Sequence, residues 1–222
     1  MSDRMERFSA LAGVLAVVLW AVGVAIIGGG HVGLPGGLPE EGADEVLAHF
    51  RENEDAIVSG GWLFMLGSLA FLWFAGILRG RLLRAEGGTG TFASIAFAGA
   101  VATGVFALGI PTGGVVAALG VDQIGAPEAA ALNAVEAAFF IGAELSAIVL
   151  LAATAVVALR TAALPRWWAG ASILLAVWLV IGPIGWIGLL AGLPIWTLVT
   201  SLILVRPSAV EGPAGSVRRT EG

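Results

Sequence analysis

Four stretches of this chain run for more than twenty residues without a charged side chain: Phe8–Gly30, Ala56–Leu78, Gly87–Val121 and Trp167–Val205. An α-helix needs about 20 residues to cross a hydrocarbon layer about 30 Å thick. Inside that layer every backbone N–H and C=O must be paired within the protein, which leaves helices and closed barrels as the only spanning forms. Uncharged runs of this length match membrane-spanning helices. The chain is therefore expected to be an all-α, polytopic membrane bundle.

Composition excludes the alternative of a soluble domain. Of 222 residues 58% are hydrophobic and 12% charged, with a mean hydropathy of +0.96, whereas soluble domains carry roughly a quarter charged residues. Once the spans are counted too few residues are left for a second, soluble domain. Cysteine is absent, which removes disulfides, thiolate catalysis and cysteine metal sites. The 33 glycines fit close helix packing.

Six spans are expected, at about 8–27, 57–78, 91–110, 133–159, 167–182 and 185–205. A short tail, 1–7, precedes them and another, 207–222, follows. The first apolar run exceeds the 7–15 residues of a signal-peptide core, so it reads as an uncleaved anchor. Residues 28–56 form an acidic outer loop, with a surface helix near Glu40–Asn53 whose Val46, Leu47 and Phe50 share one face. The third run is kinked or ended by Pro111, Gly113 and Gly114, and the fourth helix starts near Pro127. The last run has 39 residues, or roughly 58 Å as one helix, so it must reverse. Gly182-Pro183 and Gly192-Leu193-Pro194 are its two candidate turns, the first leaving more equal spans.

Arginine distribution sets the orientation, because basic residues accumulate in cytoplasmic loops. With both termini inside, ten of the eleven arginines lie inside and only Arg51 lies outside. This holds only for an even number of crossings. Trp62, Trp167 and Trp168 fall where an interfacial belt is expected. The surroundings implied are a lipid bilayer, with no nucleic-acid partner for a chain of net charge −5.

Two segments, Arg79-Gly80-Arg81-Leu82-Leu83-Arg84-Ala85-Glu86-Gly87-Gly88-Thr89-Gly90 and Ala158-Leu159-Arg160-Thr161-Ala162-Ala163-Leu164-Pro165-Arg166-Trp167-Trp168, resemble inner loops of a group of uncharacterised actinobacterial six-span membrane proteins, a domain of unknown function. The similarity extends over most of the chain, with Glu45–Asn53 matching the group's outer helix. It implies the architecture and a bacterial inner (plasma) membrane, and it transfers no catalytic residue.

Candidate chemistry concentrates on the fourth span. At about 100° per residue, Asn133, Glu136, Phe140, Glu144, Ala147 and Leu151 fall on one stripe, and charged residues at membrane depth usually face the bundle interior. Counting a 20-residue core back from Arg160 places Glu144 towards the outer side. One reading is a carboxylate that takes a proton or cation, with Glu136 and Asn133 along the way in. The other is a glutamate bonded to a Ser or Thr of a neighbouring helix, fixing packing.

No cofactor or metal is expected. His31, His49 and the outer-loop carboxylates follow no metal-ligand spacing, and neither histidine lies in a span where haem ligation is supplied. Gly170-Ala171-Ser172 lacks the closing glycine of a nucleophile elbow. Gly87-Gly88-Thr89-Gly90 lacks the lysine of a phosphate loop and reads as a turn. Gly109–Gly113 and Gly188–Gly192 have G-x-x-x-G spacing and read as packing or bending points. No nucleophile–base pair can be assembled, so the chain reads as a non-enzyme. Two functions follow: handling of a small solute, ion or proton around Glu144, or a structural or interaction role through the charged loops.

Overall fold

The structure, a computed structural model, describes residues 11–28, 42–161 and 163–205. The expected tails and the loop segment holding His31 lie outside the described residues. Among the described residues the fold is a helical bundle without strands. Its helices are α1 (Ala12–Ile27), α2 (Ala43–Glu52), α3 (Glu54–Glu86), α4 (Thr91–Gly109), α5 (Thr112–Leu119), α6 (Ala126–Arg160), α7 (Arg166–Val180), α8 (Gly182–Ile187) and α9 (Leu193–Val205). A π-turn over Gly188–Gly192 joins α8 to α9. Four segments, Glu54–Glu86, Thr91–Leu119, Ala126–Arg160 and Ile184–Val205, are long and apolar enough to cross a membrane, and α1 and α7 are shorter apolar helices.

Successive long helices run antiparallel, and contacts at small residues fix their registers. Gly23 faces Gly60 so closely that a Cβ on either would come within 3 Å of the other's carbonyl oxygen. Further along the same pair, Gly67 faces Trp20 and Ala16. Between α4 and α6, Gly99 lies against the Leu150 backbone, and Gly109 against the Phe139 ring. In lipid there is no hydrophobic drive between helices, so this close approach supplies dispersion contact instead. The turn from α3 to α4 passes through Gly87, Gly88 and Gly90 at φ of 62°, 55° and 61°, a region other residues enter at a cost. Glu86 then accepts hydrogen bonds from Phe92 N at 3.0 Å and Ala93 N at 2.7 Å, satisfying donors that the first turn of α4 leaves free.

Three buried tryptophans tie helices together, each donating its indole N–H to a hydroxyl: Trp20 to Ser68 at 3.0 Å, Trp168 to Thr200 at 2.8 Å and Trp196 to Ser172 at 2.8 Å. The last two are reciprocal between α7 and α9. Extending that register, Gly192 packs on Leu175 and Gly188 on Leu179, which places the reversal at Ile181–Pro183. Gly192-Leu193-Pro194 does not turn the chain. There Leu193 N–H donates to Gly188 O five residues back, a π-turn of the kind that accompanies a break in the i→i−4 ladder, here next to Pro194, which has no N–H.

Trp168, placed in the interfacial belt by its sequence position, is instead buried at 7% exposure, whereas Trp167 and Trp62 are exposed at 64% and 57%. Its bond to Thr200 is the reason.

Buried apolar residues form two clusters. The larger runs through α1, α3, α4, α6, α7, the π-turn and α9. The smaller joins Val46, Leu47 and Phe50 of α2 to Ile57, Ala117, Ala118, Val121 and Ala129, forming a cap over one end of the bundle. Arg79, Arg81, Arg84, Arg160 and Arg166 lie at the other end, where Arg79 and Arg160 stack over the rings of Phe97 and Phe92 at 5.2 and 4.8 Å.

Candidate functional site

Helix α6 carries both interior carboxyls, eight residues apart, which on an α-helix means about 12 Å of rise and about 80° of rotation. That rotation directs them to different neighbours. Glu136 and Glu144 therefore do not share a pocket, and Asn133 sits half-buried one turn closer to the cap than Glu136. Phe140, Ala147 and Leu151 of the same stripe are buried, so the apolar part of the stripe faces the core while Glu144 lies at its edge.

Glu136, 9% exposed, turns towards the start of α5. Pro111 ends the continuous α4 ladder, and α5 restarts with Thr112, Gly113 and Gly114. The Gly114 N–H donates to Glu136 Oε1, giving a partner to one of the first-turn donors that a helix leaves unsatisfied. A carboxylate at this end also meets the favourable pole of the helix dipole. The two glycines make room. A Cβ at Gly113 would collide with the Leu132 carbonyl and lie 2.9 Å from Glu136 Cγ, and one at Gly114 would lie 2.9 Å from Oε1. Phe50 and Ile57 close the pocket from the cap side.

Glu144 turns towards the break between α7 and α8. Its Oε1 is buried and has no hydrogen-bond partner. Opposite it is Gly185, where a Cβ would overlap Oε1 and lie 2.9 Å from the Leu179 carbonyl oxygen. The two oxygens are thus neighbours around one small space. In an unbroken helix Leu179 C=O would accept from residue 183, but that residue is proline and has no N–H. The break is held open by Trp178, whose indole N–H donates to Ile184 O at 3.0 Å, and by the Ile184 N–H to Ile181 O bond, also 3.0 Å.

A carboxylate and a carbonyl that border one space are both acceptors, an arrangement favoured when a proton or a cation is shared between them. No Ser or Thr hydroxyl supplies that donor to Oε1. Three further buried hydroxyls are also without a partner, those of Thr154, Thr197 and Ser201. Ser201 faces Gly13. Ser172, by contrast, accepts from Trp196 and donates to Trp168 O at 2.8 Å, so its hydroxyl is engaged in packing. Among the described residues no group of three His, Asp or Glu side chains gathers to hold a metal ion. His49 pairs with Asn53 Nδ2 at 3.3 Å.

The residues that define the two pockets from the other side are glycines and backbone carbonyls, which sequence reasoning did not single out as site residues. The signals were present as breakers, Pro111-Thr112-Gly113-Gly114 and Gly182-Pro183, but nothing in the sequence assigned each breaker to its glutamate. Comparison with protein-family models, with characterised proteins and with solved structures returns no match.

Proposed function

We propose that this chain is a multi-pass protein of an actinobacterial plasma membrane, crossing it six times with both termini on the arginine side, and that it takes up a proton or small cation at Glu144. The arginine asymmetry and the four long apolar segments support the topology. One observation carries the functional reading: the unpartnered Glu144 oxygen beside the Leu179 carbonyl, at a helix break made by Gly182-Pro183. The break is the reversal between the fifth and sixth crossings, towards the outer side where the sequence also places Glu144, and carbonyls at helix ends are a recurrent way of coordinating ions in transporters. An ionisable side chain there is a functional candidate by default. Glu136 has a structural task, since its carboxyl is committed to the start of α5. The reading is non-enzymatic: a carboxylate that exchanges one cation needs no nucleophile.

A hydrophobic carbodiimide tests this reading, because it modifies protonated carboxyls reached through the membrane and spares ionised ones. Modification is expected at Glu144, slowing as the pH rises and as sodium is added, and absent in Glu144→Gln. A carbodiimide that never reaches Glu144, or a rate indifferent to both pH and cations, overturns the reading. Orientation is tested separately in the cysteine-free chain. Asp44→Cys is expected to react with an impermeant maleimide on intact cells and Ala85→Cys to be protected, and the reverse pattern inverts the topology.

A further inference from the structure

Helices α1 and α9 touch at one end and part towards the other. At the arginine end Gly13 lies against the Ser201 hydroxyl, where a Cβ would collide. Nearer the cap the helices splay around an apolar cavity of about 160 Å³, walled by Trp20 and Val24 of α1, Thr103 of α4, Ala143 of α6, and Leu189 and Leu193 from the last hairpin. The one hydroxyl in the wall, that of Thr103, is engaged with Gly99 O at 2.8 Å, so the side chains there present an apolar surface. Val24 is 40% exposed, which opens the crevice sideways, to lipid if the helices span a membrane. A cavity of this size holds about six carbons, as an apolar cavity of about 150 Å³ holds one benzene ring.

The Glu144 pocket adjoins this crevice. Ala143, in its wall, precedes Glu144 on α6. Leu189, also in its wall, lies one turn beyond Gly185, against which the Glu144 carboxyl packs. Chain volume and carboxyl therefore stack along one face of the last hairpin, with the carboxyl nearer the cap.

Resting on the reading of Glu144 as a cation-accepting carboxylate, we infer that the site takes an aliphatic ammonium amphiphile, its chain in the crevice between α1 and α9 and its head between Glu144 and the Leu179 carbonyl. Charge complementarity selects the head. An ammonium group has three donors and no acceptor, which matches two adjacent oxygens. A carboxylate or phosphate head would add a third oxygen to them. Orientation agrees with the bilayer, because the chain points from the cap end towards the arginine end, as a lipid of the cap-side leaflet does.

The test uses the full chain in zwitterionic vesicles with three photoreactive probes that share one short alkyl chain ending in a diazirine: a primary ammonium, an alcohol and a carboxylate. Crosslinks are expected at Trp20 and Leu193, with the ammonium exceeding the alcohol by about tenfold, the ratio that one charge-assisted hydrogen bond supplies. Glu144→Gln is expected to lower the ammonium to the level of the alcohol while the alcohol yield stays constant. Filling the crevice by Leu193→Trp, or by Ala107→Phe, since Ala107 lines the crevice from α4, should remove crosslinks from all three probes. Equal yields for all three in the unmodified chain, or crosslinks outside the crevice, overturn the inference. If carbodiimide still reaches Glu144 in that case, cation uptake stands without the amphiphile. If both experiments fail, the reading of Glu144 falls with it.

Discussion

Glu136 and Glu144 are the same residue type, two turns apart on one helix, and their surroundings are of opposite polarity. Glu136 meets the start of a helix, where backbone N–H groups need an acceptor, and Gly114 supplies the bond. Glu144 meets a helix break, where its Oε1 and the Leu179 carbonyl oxygen border the same space at Gly185, so that acceptor faces acceptor. Glu136 is buried and Glu144 half-buried at the edge of the apolar stripe, but neither property says which backbone groups each carboxyl meets. What separates the two carboxyls is the polarity of the backbone each one faces.

That contrast can be broken most forcefully at the glycines. Gly113→Ala puts a methyl group into the Leu132 carbonyl, backbone that can yield only if α5 and α6 move apart. A loss of about 1–3 kcal/mol, the usual cost of overpacking, is expected, read as a lowered midpoint in denaturation of the purified protein. A midpoint equal to the unmodified chain's would mean that the α5–α6 seam is looser than described.

Removing the carboxyl partner comes next. Glu136→Ala leaves the buried Gly114 N–H without an acceptor, at a cost of about 1–3 kcal/mol. Glu136→Gln retains a carbonyl acceptor and should recover most of that loss in the same denaturation measurement. Equal losses for the two variants would show that charge at the helix start, and not the hydrogen bond, matters there.

Gly185→Ala is expected to be milder, because its methyl group meets first the movable end of Glu144, with the Leu179 carbonyl 2.9 Å away. The carboxyl is displaced, so carbodiimide modification should fall before stability does. In a Glu144→Ala background the same substitution should cost less, with a coupling on the order of 0.5–3 kcal/mol from the double-mutant cycle. Strict additivity would place the two residues out of contact.

Glu144→Gln should have the smallest effect on stability, within about 0.5 kcal/mol, since no bond from the protein to Oε1 is lost. A large loss would expose a structural role and erase the difference from Glu136.

Much of the fold was legible because the membrane imposes length and polarity on each segment. The uncharged runs, the break at Pro111 and the apolar face of Val46, Leu47 and Phe50 follow from charge, spacing and breaker placement, whereas α3 continues past Leu78 through three arginines to Glu86. Less legible was Trp168. An aromatic beside a basic loop reads as an interfacial anchor, and only the α7–α9 register brings Thr200 to its indole N–H. Gly192-Leu193-Pro194 was equally ambiguous, because a π-turn and a chain reversal draw on the same residues.

The amino-acid sequence by itself determined an all-helical bundle with apolar segments of membrane-spanning length and a single helix, α6, carrying interior carboxyls. Hydrophobic length and charge are local properties, and local properties are written in order along the chain. Only the tertiary structure decided that Glu136 caps α5 while Glu144 faces the Leu179 carbonyl. A rotation of about 80° between them decides nothing until the helices on either side, and the glycines that admit each carboxyl, have been packed in place.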